Sequence, residues 1–227
     1  MRTYLTAENI KDMISTAPTL RDKMVISFYA DSGCRVSELL KVKVSDIDFQ
    51  RNMVLIPHLK RGLRKRCPKC GKAAGRSQSF CSNCGADLSK IVAEGIEERS
   101  RLINLGRPTI NLIRNYLDNR GDDSPYLINL SRQRIYYIIR EIAAQIGLGG
   151  KSILNPETGK KHYVHPHNFR DSLSVDWLTI AGDDVSKQKA LQEHLGHKRF
   201  ETTMRYFKLH PAKVGNVSKE VRKRRFE

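Results

Sequence analysis

The stretch Leu195-Gly196-His197-Lys198-Arg199-Phe200-Glu201-Thr202-Thr203-Met204-Arg205-Tyr206 decides how this chain is read. Patterning predicts a helix over residues 185–195 that breaks at Gly196, and a further helix over 200–208. The break sets an imidazole, His197, just beyond one helix and a phenol, Tyr206, nine residues on. Taken singly, neither is informative. A histidine there is commonly a cap or a surface group, and a helix tyrosine commonly packs its ring and exposes its hydroxyl.

The 227 residues carry a formal net charge of +17, and the charge is concentrated. Residues 60–90 hold nine basic side chains against Asp87, residues 208–227 hold seven against Glu220 and Glu227, and the other 176 residues carry only +4. Counterion release from a phosphate backbone rewards such clustering, so a polyanion is the expected partner. No run of about 18 apolar residues occurs, and Met1-Arg2-Thr3-Tyr4-Leu5-Thr6 opens no apolar stretch of signal-peptide length. A soluble, cytoplasmic protein without a membrane partner is expected.

Four of the five cysteines form Cys67-Pro68-Lys69-Cys70 and Cys81-Ser82-Asn83-Cys84, each pair followed by glycine, Gly71 and Gly85. A two-residue gap lets both thiolates of a pair reach one ion, and the glycine can take the positive φ that turns backbone amides toward sulfur. The set reads as a zinc ribbon holding one structural Zn²⁺, with iron the minor alternative and two disulfides disfavoured in a reducing compartment. Cys34 has no partner spacing and reads as a small buried residue.

The remaining pattern is mostly helical with one small sheet, an α+β class. Thr6 caps a helix over 7–15, Thr19 with Asp22 caps one over 20–31 that stops at Gly33, and a short helix begins near Val36. Apolar, β-compatible runs at 53–56 and 101–105 flank the cysteine segment, so the ribbon looks inserted between two strands. Pro108 opens a helix ending at Gly121, and Ser131 caps another whose buried stripe is Ile135, Ile138, Ile139, Ile142 and Ile146. Residues 148–166 are a loop or ragged hairpin. After Pro166 a helix carries Phe169, Leu173 and Trp177 as its core face, with His167 and Arg170 on the neighbouring one. The expected domains are 1–62 with 91–207, an inserted ribbon over 63–90, and a basic tail over 208–227.

Ser32-Gly33-Cys34-Arg35-Val36-Ser37-Glu38-Leu39-Leu40, His167-Asn168-Phe169-Arg170, Leu195-Gly196-His197 and Tyr206 together resemble the catalytic boxes of the tyrosine recombinases, the phage-integrase family. All occur in order, and the interval from His197 to Tyr206 is one the family commonly shows. The resemblance implies helices around a small antiparallel sheet, and transesterification of double-stranded DNA through a 3′-phosphotyrosyl link, run by a four-subunit assembly. Arg35 and Arg170 are then the guanidinium clamp on the non-bridging oxygens. Tyr206 is the nucleophile, His167 helps move its proton, and His197 hydrogen-bonds a non-bridging oxygen. Family members protonate the leaving 5′-oxygen with a lysine between two strands, which Lys60 matches best, with Lys65 or Lys90 as substitutes.

Exchanging one diester for another needs no ATP, and two arginines and a lysine supply the charge that a nuclease takes from a catalytic metal. The chain departs from the family at Asp171, where a histidine often follows the second arginine, and at Asn104, where proline often closes the second strand. It also begins about where the catalytic domain begins, without the DNA-clamping domain that usually precedes it. A type IB topoisomerase and a non-catalytic zinc-containing DNA-binding regulator are the alternative functions.

Overall fold

The computed structural model describes residues 3–58, 64–75, 77–91, 99–155 and 158–206. They fall into two compact units, one built from Met1–Ile56 and Arg101–Glu227, the other from Pro57–Ser100.

In the larger unit, α1 (Ala7–Thr16) and α2 (Leu20–Ser32) start where their caps predict, with Asn9 N donating to Thr6 Oγ1 and Asp22 N to Thr19 Oγ1. Helix α2 is the centre of the unit and packs against α1, α4 (Arg107–Asn119) and α6 (Pro166–Ala181). It therefore buries residues all round, including Met24, Val25, Ile26, Phe28 and Tyr29, instead of a single stripe. Its buried Ser27 is satisfied by Thr109 Oγ1 of α4 at 2.9 Å. Strand β1 (Ile47–Asp48) pairs antiparallel with β2 (Met53–His58), Ile47 opposite Val54, and a third strand, Arg99–Asn104, completes a sheet with β2 in the middle. The two-residue β1 has no periodicity to announce it.

Helix α5 (Arg132–Ala143) buries Ile135, Ile138, Ile139 and Ile142 as predicted, but ends before Ile146. Gly147, at φ 78°, turns the chain out of the helix there, leaving Ile146 only partly buried. Of the loop or ragged hairpin expected over 148–166, the structure forms a short two-stranded hairpin, Ile153–Leu154 against Lys161–His162. Helix α6 differs from its predicted face: Leu173 and Trp177 are half-buried, while Ser172, Ser174, Val175 and Leu178 are inside. The helix is covered by α2 on one side and by α7 (Val185–Leu195) on another, so small serines fit where a stripe would not. Both return their hydroxyls to carbonyls one turn back, Ser172 to Asn168 and Ser174 to Arg170. Helix α8 (Phe200–Met204) and a tighter turn carry the chain to Tyr206.

Gly33 ends α2 in the left-handed region at φ 56°, and a Cβ there would lie 2.9 Å from Leu173 Cδ2 and 3.2 Å from Leu195 Cδ2. Gly33→Ala combines an unfavourable backbone with overpacking, and is expected to lower unfolding free energy by about 1–3 kcal/mol in urea titrations. A loss below about 0.5 kcal/mol would show that the site relaxes freely.

Candidate active site

Five of the six sequence-predicted catalytic residues lie in the larger unit and converge: Arg35, His167, Arg170, His197 and Tyr206. Lys60 lies outside the described residues, as does the tail from residue 207 onward. Arg35 is the N-cap residue of α3 (Val36–Leu39), two positions after Gly33. His167 and Arg170 sit in the first turns of α6, whose start is fixed by Pro166 and by Asn168 Oδ1 accepting from His165 N at 2.9 Å. His197 follows Gly196, which caps α7 at φ 65°, and its own N–H closes onto Gln192 O.

Arg170 is the hub. Its side chain is 1 % exposed, and its fork donates to Gly33 O at 2.7 Å, to Leu195 O at 2.6 Å and toward His197 Nε2 at 2.8 Å. Both carbonyls lie at helix C-termini, the negative ends of the α2 and α7 dipoles, which offsets the burial of a cation that no carboxylate among the described residues bonds. Accepting from Arg170 fixes the His197 tautomer: Nδ1–H donates to Thr203 Oγ1 at 2.8 Å. Burial, then Arg170, Arg35 and Arg101, depress the His197 pKa to about 3, so the ring is neutral at physiological pH.

Tyr206 stacks on His197, with ring centroids 6.0 Å apart and planes within 16°, and is only 8 % exposed. Burial raises its phenol and the nearby Arg170 pulls it back. His167 is more open, its side chain 55 % exposed, yet desolvation by its neighbours and then Arg170 lower it to about 4. Arg35 presents a 42 % exposed guanidinium, steadied by Nη1 on Glu38 Oε1 at 2.8 Å.

Sequence reading missed that this last contact belongs to a buried network. Arg101, on the third strand, donates through Nη2 to Glu38 Oε2 at 2.9 Å and through Nε to His194 O at 2.7 Å. A signal existed. Arg101 shares a strand face with the buried Ile103 and Leu105, a cation at an inward position of a period-two pattern. Burial raises the Glu38 carboxyl, but hydrogen bonds and charge from Arg101, then Arg35, outweigh it and hold the pKa at about 2.

In the smaller unit, β3 (Arg64–Arg66) pairs with β4 (Ala73–Gly75), and Cys67, Ala74, Cys81 and Leu88 form a small core. The two cysteine pairs fold alike. Gly71 N donates to Cys67 O and Gly85 N to Cys81 O, both glycines have φ 70°, and neither has an atom within 4 Å that a Cβ would meet. Their glycine is thus a matter of backbone conformation alone. The four sulfurs lie within 4.8 Å of one another, with Cys67–Cys84 and Cys70–Cys81 at 3.5 Å, far beyond a disulfide bond. Tetrahedral Zn–S bonds near 2.3 Å need sulfurs about 3.8 Å apart, so the four can hold one metal ion. Lys65, a substitute for the general-acid lysine on sequence grounds, is buried here and donates to Leu88 O at 2.8 Å and Gln78 O at 3.2 Å, which commits it to the fold of this unit.

Among solved structures the fold resembles XerA recombinase (TM-score 0.63, 22 % identity, 98 % of this chain and 66 % of that one). It also resembles XerH site-specific recombinase bound to its difH substrate (TM-score 0.60, 15 % identity, 95 % and 52 %). The architecture is therefore that of a tyrosine-recombinase catalytic fold. In sequence, the chain is similar to tyrosine recombinase XerA of Pyrococcus horikoshii (25 % identity, 90 % of this chain and 56 % of that protein) and XerD of Bifidobacterium longum (29 %, 87 % and 53 %). Residues 3–213 match the phage integrase family, and the chain belongs to it. It spans about half the length of the curated relatives it matches. Among the described residues no helix is long and apolar enough to cross a membrane.

Because the folded Glu38 pKa lies below its unfolded value, its contribution is complete above pH about 4.5 and is lost as pH falls toward about 2. Glu38→Gln is expected to destabilise the protein by about 2–4 kcal/mol at neutral pH, with the gap from wild type narrowing across that acid window. Urea unfolding at stepped pH measures both, and a gap constant from pH 7 to 2 would deny the carboxylate this role.

Proposed function

We propose that the protein is a site-specific DNA recombinase or integrase that cleaves and rejoins double-stranded DNA through a 3′-phosphotyrosyl intermediate on Tyr206. The observation that carries this reading is the convergence, around Arg170, of side chains from three distant stretches of the chain. In-line attack on a phosphodiester places negative charge on the non-bridging oxygens, and Arg35 and Arg170 match it with preorganised donors. Losing one such donor costs about 10²–10³ in rate, and lysine, lacking the planar fork, does not restore it.

Arg170 and Tyr206 are both covered in the free protein. Productive DNA binding therefore exchanges His197 Nε2 for a phosphate oxygen at Arg170 and swings the phenol into line. His197, once protonated on Nε2, then donates to that phosphate, whose negative charge offsets the arginines that depress its pKa. His167 assists removal of the phenolic proton, and Lys60 protonates the leaving 5′-oxygen. Among proteins of similar fold, XerH is bound to its palindromic difH substrate and the Tn1549 transposon integrase is in complex with a circular intermediate DNA, which supports a DNA partner here. A four-subunit synapse is the assembly that strand exchange between two duplexes requires.

The division into residues 1–62 with 91–207, a ribbon over 63–90 and a tail over 208–227 is the domain organisation we adopt. Zinc is the ion that four thiolates at this spacing favour, held by Cys67, Cys70, Cys81 and Cys84. It supplies a structural cross-link to a unit too small for a large core, and takes no part in strand transfer. The basic residues around it would contact phosphates.

A nicked suicide duplex should trap a covalent adduct with wild type and none with Tyr206→Phe; equal trapping by both would overturn the nucleophile assignment. Relaxation of supercoiled plasmid without sequence preference would point to a topoisomerase instead. Replacing Cys67 and Cys70 by serine should remove about one equivalent of zinc and weaken DNA binding with a shallower salt dependence. Binding unchanged from low to high salt would assign the ribbon to another task.

A further inference from the structure

Asp171, where the family often has histidine, lies one helical turn beyond His167 on α6, with Oδ1 3.5 Å from His167 Nε2. The Asp171 side chain is 15 % exposed against 55 % for that of His167, so a largely covered acid stands behind Nε2 of a mostly open side chain. The Asn168 amide lies close enough to Asp171 to favour its ionised form, yet its Nδ2 closes no hydrogen bond. We propose that Asp171 is a positioning residue for His167, its carboxylate accepting Nε2–H and so leaving Nδ1 as the nitrogen that takes the proton of the attacking tyrosine. This deepens the strand-transfer reading and rests on it.

The step balances. As the Tyr206 Oη–P bond forms and the P–O5′ bond breaks, the phenolic proton passes to His167 Nδ1 and the 5′-oxygen takes a proton from the general acid. The imidazolium then faces the Asp171 carboxylate, which stabilises it and preserves the tautomer for the reverse step. A contact of 3.5 Å is long for a hydrogen bond, as such contacts often are before substrate binds.

The protonation state of Asp171 selects the tautomer. Ionised, it accepts from Nε2; protonated, its O–H donates to Nε2 and the ring hydrogen moves to Nδ1, where it blocks proton acceptance. Burial raises the Asp171 pKa to about 7 against the lowering effects of Arg170 and Asn168, while His167 itself stays neutral above about pH 4. The groups facing the pair are Arg170 and Asn168 on the same helix, His165 and His162 just before it, Arg35 at the start of α3, His197 after α7, and Tyr206, whose phenol Asp171 raises. Cleavage should therefore rise as pH passes upward through about 7.

Two measurements test this. In single-turnover adduct formation on the suicide duplex, Asp171→Asn should be slower by on the order of 10²-fold or more and should lose the rise near pH 7, with DNA affinity and zinc content unchanged. Asp171→Glu should recover part of both. In NMR titrations of the DNA-free protein, the His167 ring signals should inflect near pH 7 in wild type and lose that inflection in Asp171→Asn. A wild-type rate and pH profile in Asp171→Asn, or His167 signals flat through pH 7 in wild type, would overturn the proposal. The wild-type titration alone decides it if the variant does not fold. Absence of any adduct with wild type would instead sink the strand-transfer reading, with the titration still reporting on the pair.

Discussion

A buried guanidinium organises this protein. Arg170 has left water, at a cost of several kcal/mol for an uncompensated ion, and among the described residues its fork bonds to two carbonyls and an imidazole and to no carboxylate. Its compensation is the carbonyl of Gly33 after α2 and the carbonyl of Leu195 at the end of α7. Each helix stops at a left-handed glycine, which is what turns those carbonyls inward instead of letting the helix run on. The same fork then fixes the tautomer of His197, on which Tyr206 lies. One side chain thus ties the ends of two helices to the imidazole and the phenol.

Local features of this arrangement were legible in the sequence because they are written in local chemistry. Gly33 and Gly196 mark helix ends, Thr6, Thr19 and Ser131 mark helix starts, and the paired cysteines with their glycines specify a metal knuckle on spacing alone. The isoleucine stripe of α5 is likewise a local period. The order of the boxes carried the family, and the family carried the convergence; no periodicity in this chain says that Arg35 and Arg170 meet.

What sequence reading missed is tertiary. Helix α6 is covered from two sides, which places Ser172 and Ser174 in the interior and displaces Leu173 and Trp177 toward its edge. Arg101 binds Glu38 across 63 residues, and the i to i+3 contact of Arg35 with Glu38 is the exposed end of the same network. The deep burial of Arg170 and Tyr206 has no local signature either, since an arginine and a helix-end tyrosine are most often open to water. Here Arg170 instead bonds to His197, and Tyr206 stacks on that ring.

The smaller unit interrupts the chain between β2 and the third strand, which are hydrogen-bonded neighbours in one sheet. Its two points of attachment are therefore already side by side in the larger unit. Closure entropy grows only slowly with the length of an excursion between fixed ends, so the catalytic scaffold is nearly indifferent to what is hung there. An excursion of very different length can therefore be carried at this edge of the sheet without renegotiating the core beneath it.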